Sequence, residues 1–123
     1  MSHLILITDT AHPTARVIVA DEKQILGSRE FTNTPKVGTD LLIYIDELLQ
    51  ELKLDKTSLT RIGVHAGPGS YGLVRTGIVT ATILAQAVGA ELVEVEGETA
   101  EELVESGRNG EVVKAVEARY RGY

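Results

Sequence analysis

The apolar residues of this chain follow two rhythms. Leu4-Ile5-Leu6-Ile7 is a continuous apolar run closed by Thr8-Asp9-Thr10, the pattern of a strand buried on both faces within a sheet. Ala15 to Ala20 and Ile25 to Phe31 flank the polar turn Asp21-Glu22-Lys23-Gln24, which predicts a β-hairpin. The spacing then changes. Leu41, Leu42, Ile45, Leu48, Leu49 and Leu52 recur with helical period, and Thr39 before Asp40 is placed to cap that helix. Ile43 and Tyr44 widen its apolar face, so it is either well buried or meets a partner.

Arg61 to Ala66 reads as a parallel strand, and His65 to Gly77 then carries four glycines and a proline into a second helix. Ser70 sits at the N-cap position, and the segment Tyr71 to Val88 holds only Arg75 and Gln86 as strongly polar residues. A helix apolar on nearly every side is expected to be buried on nearly every side. Gly72, Gly77 and many β-branched residues give it poor intrinsic propensity, so packing must hold it. Gly77, Ala81 and Ala85 form a stripe of small residues where another backbone can come close, and Gly89 is a natural stop. Glu91 to Glu96 reads as a strand. Glu98 to Gly107 reads as a short helix with Ala100, Leu103 and Val104 inward, and Val112 to Val116 as a final short strand.

The order β-β-β-α-β-α-β-α, with the short strand last, predicts an α/β fold with a mixed five-stranded sheet. Among common folds it suits a ribonuclease-H-like or actin-like half-domain, formed by residues 1–123 as one domain. The net charge of −6 argues against a general nucleic-acid or membrane-surface binder, so neither DNA nor a membrane is an expected partner. The chain has no cysteine, which excludes disulfides, thiolate zinc sites and cysteine nucleophiles. Met1-Ser2-His3 before Leu4 lacks the charged flank and long apolar core of a signal peptide, so a cytoplasmic location is expected. Eight glutamates and one arginine lie between Glu91 and Glu111, either a solvated face or a surface for a basic partner.

Two chemical readings of the glycine stretch stand side by side. A glycine-rich turn at a helix N-terminus offers N–H groups to phosphate, and Asp9 at the end of the first strand is placed to hold a metal-bound phosphate. Asp9, Thr10, Gly67, Gly69 and Ser70 are then the weak candidates for cofactor binding. Against this, no Gly-Lys-Ser/Thr ending follows Gly67-Pro68-Gly69-Ser70, and the turn Thr10-Ala11-His12-Pro13-Thr14 has no glycine and loses a donor at Pro13. The stretch then serves tight turning and close helix approach. His3, His12 and His65 are scattered along the sequence, so no metal site is expected. Ser70 lacks a G-x-S-x-G elbow, and a nuclease of this fold class would need more carboxylates beside Asp9.

Gly67-Pro68-Gly69-Ser70-Tyr71, then Arg75 and Gly77, resemble the G-P-G-S-[FY]-T-G-L-R-x-G signature of the TsaB/YeaZ family, glycoprotease-like proteins of tRNA threonylcarbamoyladenosine synthesis. Asp9-Thr10 is similar to the family's Asp-Thr-Ser, Ile62-Gly63-Val64 leads into the loop in the same way, and Glu117-Ala118-Arg119 resembles the Asp-Ala-Arg that opens its second lobe. Gly72-Leu73-Val74 replaces Thr-Gly-Leu, Ala11 replaces serine, and His65 stands where glycine is usual.

The resemblance implies a non-catalytic scaffold or dimerisation subunit that supports TsaD in modifying adenine 37 of tRNA, with no cofactor of its own. A TsaE-like ATPase is the further implied partner, and a homodimer forms when TsaD is absent. In the family the pairing helices are those before and after the glycine loop, which places Leu41, Tyr44, Ile45, Leu48, Leu73, Gly77, Thr80, Ala81, Leu84 and Ala85 at the interface. The chain stops where the second lobe would begin, as a natural minimal form or as an N-lobe. The alternative is a small actin-like enzyme binding ATP and Mg through Asp9 and the Gly67 to Ser70 loop.

Overall fold

A computed structural model describes residues 3–34 and 36–119, apart from the side chains of residues 37–39 and 71. Six strands form one mixed sheet in the order β3-β2-β1-β4-β5-β6. Strand β1 (Leu4–Asp9) pairs antiparallel with β2 (Thr14–Ala20), which pairs antiparallel with β3 (Ile25–Thr32). On its other side β1 runs parallel to β4 (Leu59–His65), β4 runs parallel to β5 (Glu91–Val95), and the short β6 (Val112–Val113) closes the edge antiparallel to β5. The ribonuclease-H-like, actin-like half-domain architecture is thus present, with the sixth strand included in the sheet.

All six residues of β1 are buried because layers cover both faces of the sheet. Leu4 and Leu6 point into a core with helices α1 (Val37–Glu51) and α2 (Tyr71–Val88), while Ile5 and Ile7 point into a second core with helix α3 (Ala100–Asn109). Period-two alternation thus makes one unbroken apolar run serve two cores. Leu6 and Ile7 are completely buried, and full burial of each such side chain contributes about 2 kcal/mol. Among the described residues no helix is long and apolar enough to cross a membrane.

Element boundaries depart from the sequence reading by a residue or two at several strands, β4 running from Leu59 to His65, and more clearly in three places. Helix α1 starts at Val37 with Lys36 as a cap that makes no side-chain bond, so Thr39 lies inside the first turn; its side chain is outside the described residues. Helix α3 starts at Ala100 and runs to Asn109, set by a capping box in which Thr99 Oγ1 accepts from the Glu102 N–H and Glu102 Oε1 accepts from the Thr99 N–H. The last strand ends at Val113. The chain beyond leaves the sheet edge, buries Val116, and at Arg119 donates its N–H to the Ala66 carbonyl at 2.6 Å. Residues 120–123, the remainder of the basic end at Arg119 to Tyr123, lie outside the described residues.

Helix α2 keeps the expected bounds and ends in Gly89, which is left-handed at φ 74°. Ser70 is its N-cap residue, but the serine side chain makes no capping bond. The expectation that α2 is buried all round does not hold: Val79 is 48% and Ile83 61% exposed. Helix α3 lacks a left-handed stop, and Arg61 of β4 serves instead, its Nη1 donating to the carbonyls of Gly107, Arg108 and Gly110.

Candidate functional site

In open α/β sheets ligands bind beyond the carboxyl ends of the strands. Here the ends of β1 and β4 carry Asp9 and His65, and the turn after β1 folds back between them. Asn33, just past β3, holds that turn. Its N–H donates to the Pro13 carbonyl, and its Nδ2 donates to the carbonyls of Thr10 and His12. Asn33 Oδ1 is buried without a hydrogen-bond partner among the described residues.

Asp9 is completely buried and fully engaged. Its Oδ1 accepts from the Ala11 N–H at 3.0 Å, and its Oδ2 accepts from Arg16 Nη2 at 3.0 Å and lies 2.6 Å from His12 Nδ1. The His12 ring meets the His65 ring edge-on at 5.0 Å. His65 is buried, and its Nδ1 accepts from the Gly67 N–H at 3.0 Å. Burial holds the His65 imidazole below its ordinary pKa, opposed by the negative charge of Asp9. With Nδ1 accepting, the neutral ring carries its proton on Nε2.

The fold therefore gathers two histidines that the sequence spreads 53 positions apart, as 65 − 12 shows, around one aspartate. One ligand atom from each of Asp9, His12 and His65 lies within 4.8 Å of the others, close enough to surround an ion. Their hydrogen bonds run against that use. The carboxylate already faces the Arg16 guanidinium, and the free lone pair of His65 is taken by Gly67. A divalent cation would have to displace both.

The residues fit a metal-bound nucleotide no better. Gly67 has φ +101°, and a Cβ there would stand 2.2 Å from the Arg119 carbonyl oxygen; a Cβ on Gly69 would stand 2.8 Å from the Ala11 carbonyl oxygen. These glycines admit the chain's own backbone. Thr10 Oγ1 donates to the Leu73 carbonyl at 2.7 Å, tying the turn to the first turn of α2. Of the candidate cofactor residues, Asp9, Thr10, Gly67 and Gly69 share this internal network, while Ser70 is exposed.

The candidate interface divides in two. Leu41, Ile45, Leu48, Ala81, Leu84 and Ala85 are core residues beneath α1 and α2, and Gly77 is buried against Thr10. The small-residue stripe thus meets its close neighbour within the chain, and these side chains are not on the surface. Tyr44, stacked on Phe31 at 4.3 Å, and Leu73 and Thr80 are half-buried. Among the described residues, the large apolar side chains exposed on this layer are Leu42, Ile43, Val79 and Ile83. Val79 and Ile83 were missed in the sequence, although at 100° per residue they stand opposite the Gly77-Ala81-Ala85 stripe. Once that stripe is taken as the inward face, the pair must point out.

Comparison with known structures places this fold. YeaZ from Pseudomonas aeruginosa superposes with a TM-score of 0.69 at 24% identity, over 76% of this chain and 43% of that one. A second structure, of an uncharacterised protein similar to peptidase YeaZ from the same organism, gives 0.70 at 24% identity with the same coverage. RuvC from Thermus thermophilus gives 0.50 at 11% identity, over 74% of this chain and 60% of that one. The chain thus spans less than half the length of the YeaZ structures it matches. Comparison with curated proteins found no match. At the sequence level, a family model described as TsaD, tRNA N6-adenosine threonylcarbamoyltransferase, matches residues 38–122, a span that takes in α1, the glycine loop and α2. With most of its length matched, the chain belongs to this TsaD family.

Proposed function

We propose that this chain is a non-catalytic docking subunit in the synthesis of threonylcarbamoyladenosine at adenine 37 of tRNA. It presents the α1/α2 layer to a TsaD-like catalytic subunit in the cytoplasm, and to a second copy of itself when that subunit is absent. A TsaE-like ATPase is a further partner. The observation that carries this reading is where apolar surface is exposed. Of the five large hydrophobic side chains exposed among the described residues, Leu42, Ile43, Val79 and Ile83 lie on α1 and α2, and only Val112 lies elsewhere. Exposed apolar side chains concentrated on one layer mark a contact surface. Family membership and the YeaZ-like fold support the choice of partner. The internal network around Asp9 supports a supporting role over a catalytic one, because the carboxylate and the loop N–H that a substrate would need are already bonded.

Light scattering coupled to size exclusion, with and without the cognate TsaD, tests the reading. The expected result is a complex with TsaD whose mass is the sum of the two chains, and which Val79→Asp with Ile83→Glu abolishes. A chain that stays monomeric alone and ignores TsaD overturns it.

A further inference from the structure

We infer that neutral His65 is a proton-operated tie, holding the glycine loop and the entry of α2 in docking pose and releasing them when the imidazole is protonated. The inference rests on reading the α1/α2 layer as a docking surface, and it adds the regulation of that surface. His65 ends β4 and Tyr71 opens α2, so the loop between them sets where the helix starts. Among the described residues, few side-chain bonds to that loop are present. Ser70 makes no capping bond, and the first turn of α2 contains no acidic residue. The bond from the Gly67 N–H to His65 Nδ1 is therefore a principal tie of the loop, alongside the backbone contact between Ala66 and Arg119 and the Thr10 Oγ1 bond to the Leu73 carbonyl in the first turn of α2.

That bond exists only while Nδ1 is unprotonated. An imidazolium carries N–H groups on both nitrogens, so Nδ1–H and the Gly67 N–H would be two donors facing each other across 3.0 Å. One must turn away, and Gly67, at φ +101°, carries no side chain to hinder rotation of its own peptide.

The groups facing the ring decide how readily the proton arrives. Asp9 at the end of β1 favours the charged form, and the Gly97 carbonyl beyond β5 accepts from the ring. His12 from the turn and Arg16 from β2 oppose the charge, and Arg16 also holds the Asp9 carboxylate that would otherwise draw the proton. Burial is the largest influence and keeps the ring neutral at physiological pH. The tie is closed in neutral solution and opens only as pH falls through the ring's lowered pKa.

Nuclear magnetic resonance on the full chain, followed from about pH 7.5 to about pH 5, reads the tie directly because histidine titrates in this window. The Gly67 amide is expected to shift in step with the His65 ring, with a midpoint below the ordinary 6.5. Affinity for the cognate TsaD is expected to fall about tenfold over the same range, the effect of losing one hydrogen bond. His65→Asn is the decisive variant, since its Oδ1 can accept from Gly67 at a similar reach but does not titrate. It is expected to bind as the wild type at neutral pH and to lose the acid dependence. A Gly67 amide that ignores His65, or His65→Asn binding that stays acid-sensitive, overturns the inference. If TsaD does not bind even at neutral pH, the docking reading fails by itself, and the Gly67 response still decides whether the tie exists.

Discussion

Gly77 of α2 rests directly on Thr10, so that a Cβ at position 77 would lie 2.3 Å from Thr10 Oγ1, the atom that donates to the Leu73 carbonyl. Helix and turn meet here with no room for a methyl group. Gly77→Ala is expected to destabilise the fold by about 1–3 kcal/mol despite its better helix propensity, because Thr10 is buried and cannot swing aside. Urea unfolding measures this. The same change in a Thr10→Ala background should cost clearly less, and equal costs in both backgrounds would remove the contact as the cause.

Two neighbours on α2 should behave in opposite ways. Ala81 is completely buried, so Ala81→Arg places a charge in the core and is expected to cost about 3 kcal/mol or more, leaving the chain partly or wholly unfolded. Ile83, 61% exposed, should accept glutamate with a stability change within about 0.5 kcal/mol. Thermal unfolding monitored by circular dichroism separates the two, and Ile83→Glu should weaken association without altering the spectrum.

Asp9→Asn removes the charge that neutralises Arg16, whose side chain is only 13% exposed. An unpaired buried guanidinium is expected to cost about 3 kcal/mol. Denaturant unfolding at neutral pH checks it. A variant as stable as the wild type would mean that the Glu98 carbonyl, to which Arg16 Nη2 also donates, is enough to hold the guanidinium.

Stability should also depend on acidity in a defined window. His65 has a folded pKa below its ordinary 6.5, so the folded state resists the proton that the unfolded state takes up. Its contribution is complete above about pH 6.5 and is lost as pH falls towards and through the folded value. Asp21, Asp55 and Glu102, held low chiefly by backbone N–H groups of Lys23, Thr57 and Thr99, act only below their ordinary values of 3.8, 3.8 and 4.5. A falling unfolding midpoint between about pH 6.5 and pH 5 that flattens in His65→Asn assigns the effect to His65.

Much of this fold could be read from the chain because its signals are local. The unbroken Leu4 to Ile7 run marks a strand covered on both sides, and Ser70 and Gly89 bracket α2 at its true ends. The start of α3 is also present in the sequence as Thr99 followed three residues later by Glu102, although the acidic, helix-favouring run extends back to Glu98 and blurs it. The end of the last strand was not readable, because it depends on the Arg119 N–H finding the distant Ala66 carbonyl. The same holds at the candidate site. That Asp9, His12 and His65 converge is a product of β1 and β4 running side by side, which spacing along the chain does not reveal. The outward face of α2 was misjudged for another reason: an abundance of apolar residues hides which side is the smaller and therefore the inner one.

The grip of Arg61 on the end of α3 makes that helix and the sheet beneath it one cooperative unit. Helix α3 closes against a side chain from β4, and a Cβ at its Gly107 would stand 2.6 Å from Ile5 of β1, so the helix has no independent means of ending or of standing off the sheet. Its amides should exchange with solvent only as slowly as those of the central strands, opening in the same global event and not by fraying from Asn109 inward. The layer remote from α1 and α2 thereby shares its rigidity with the strand that leads into the glycine loop.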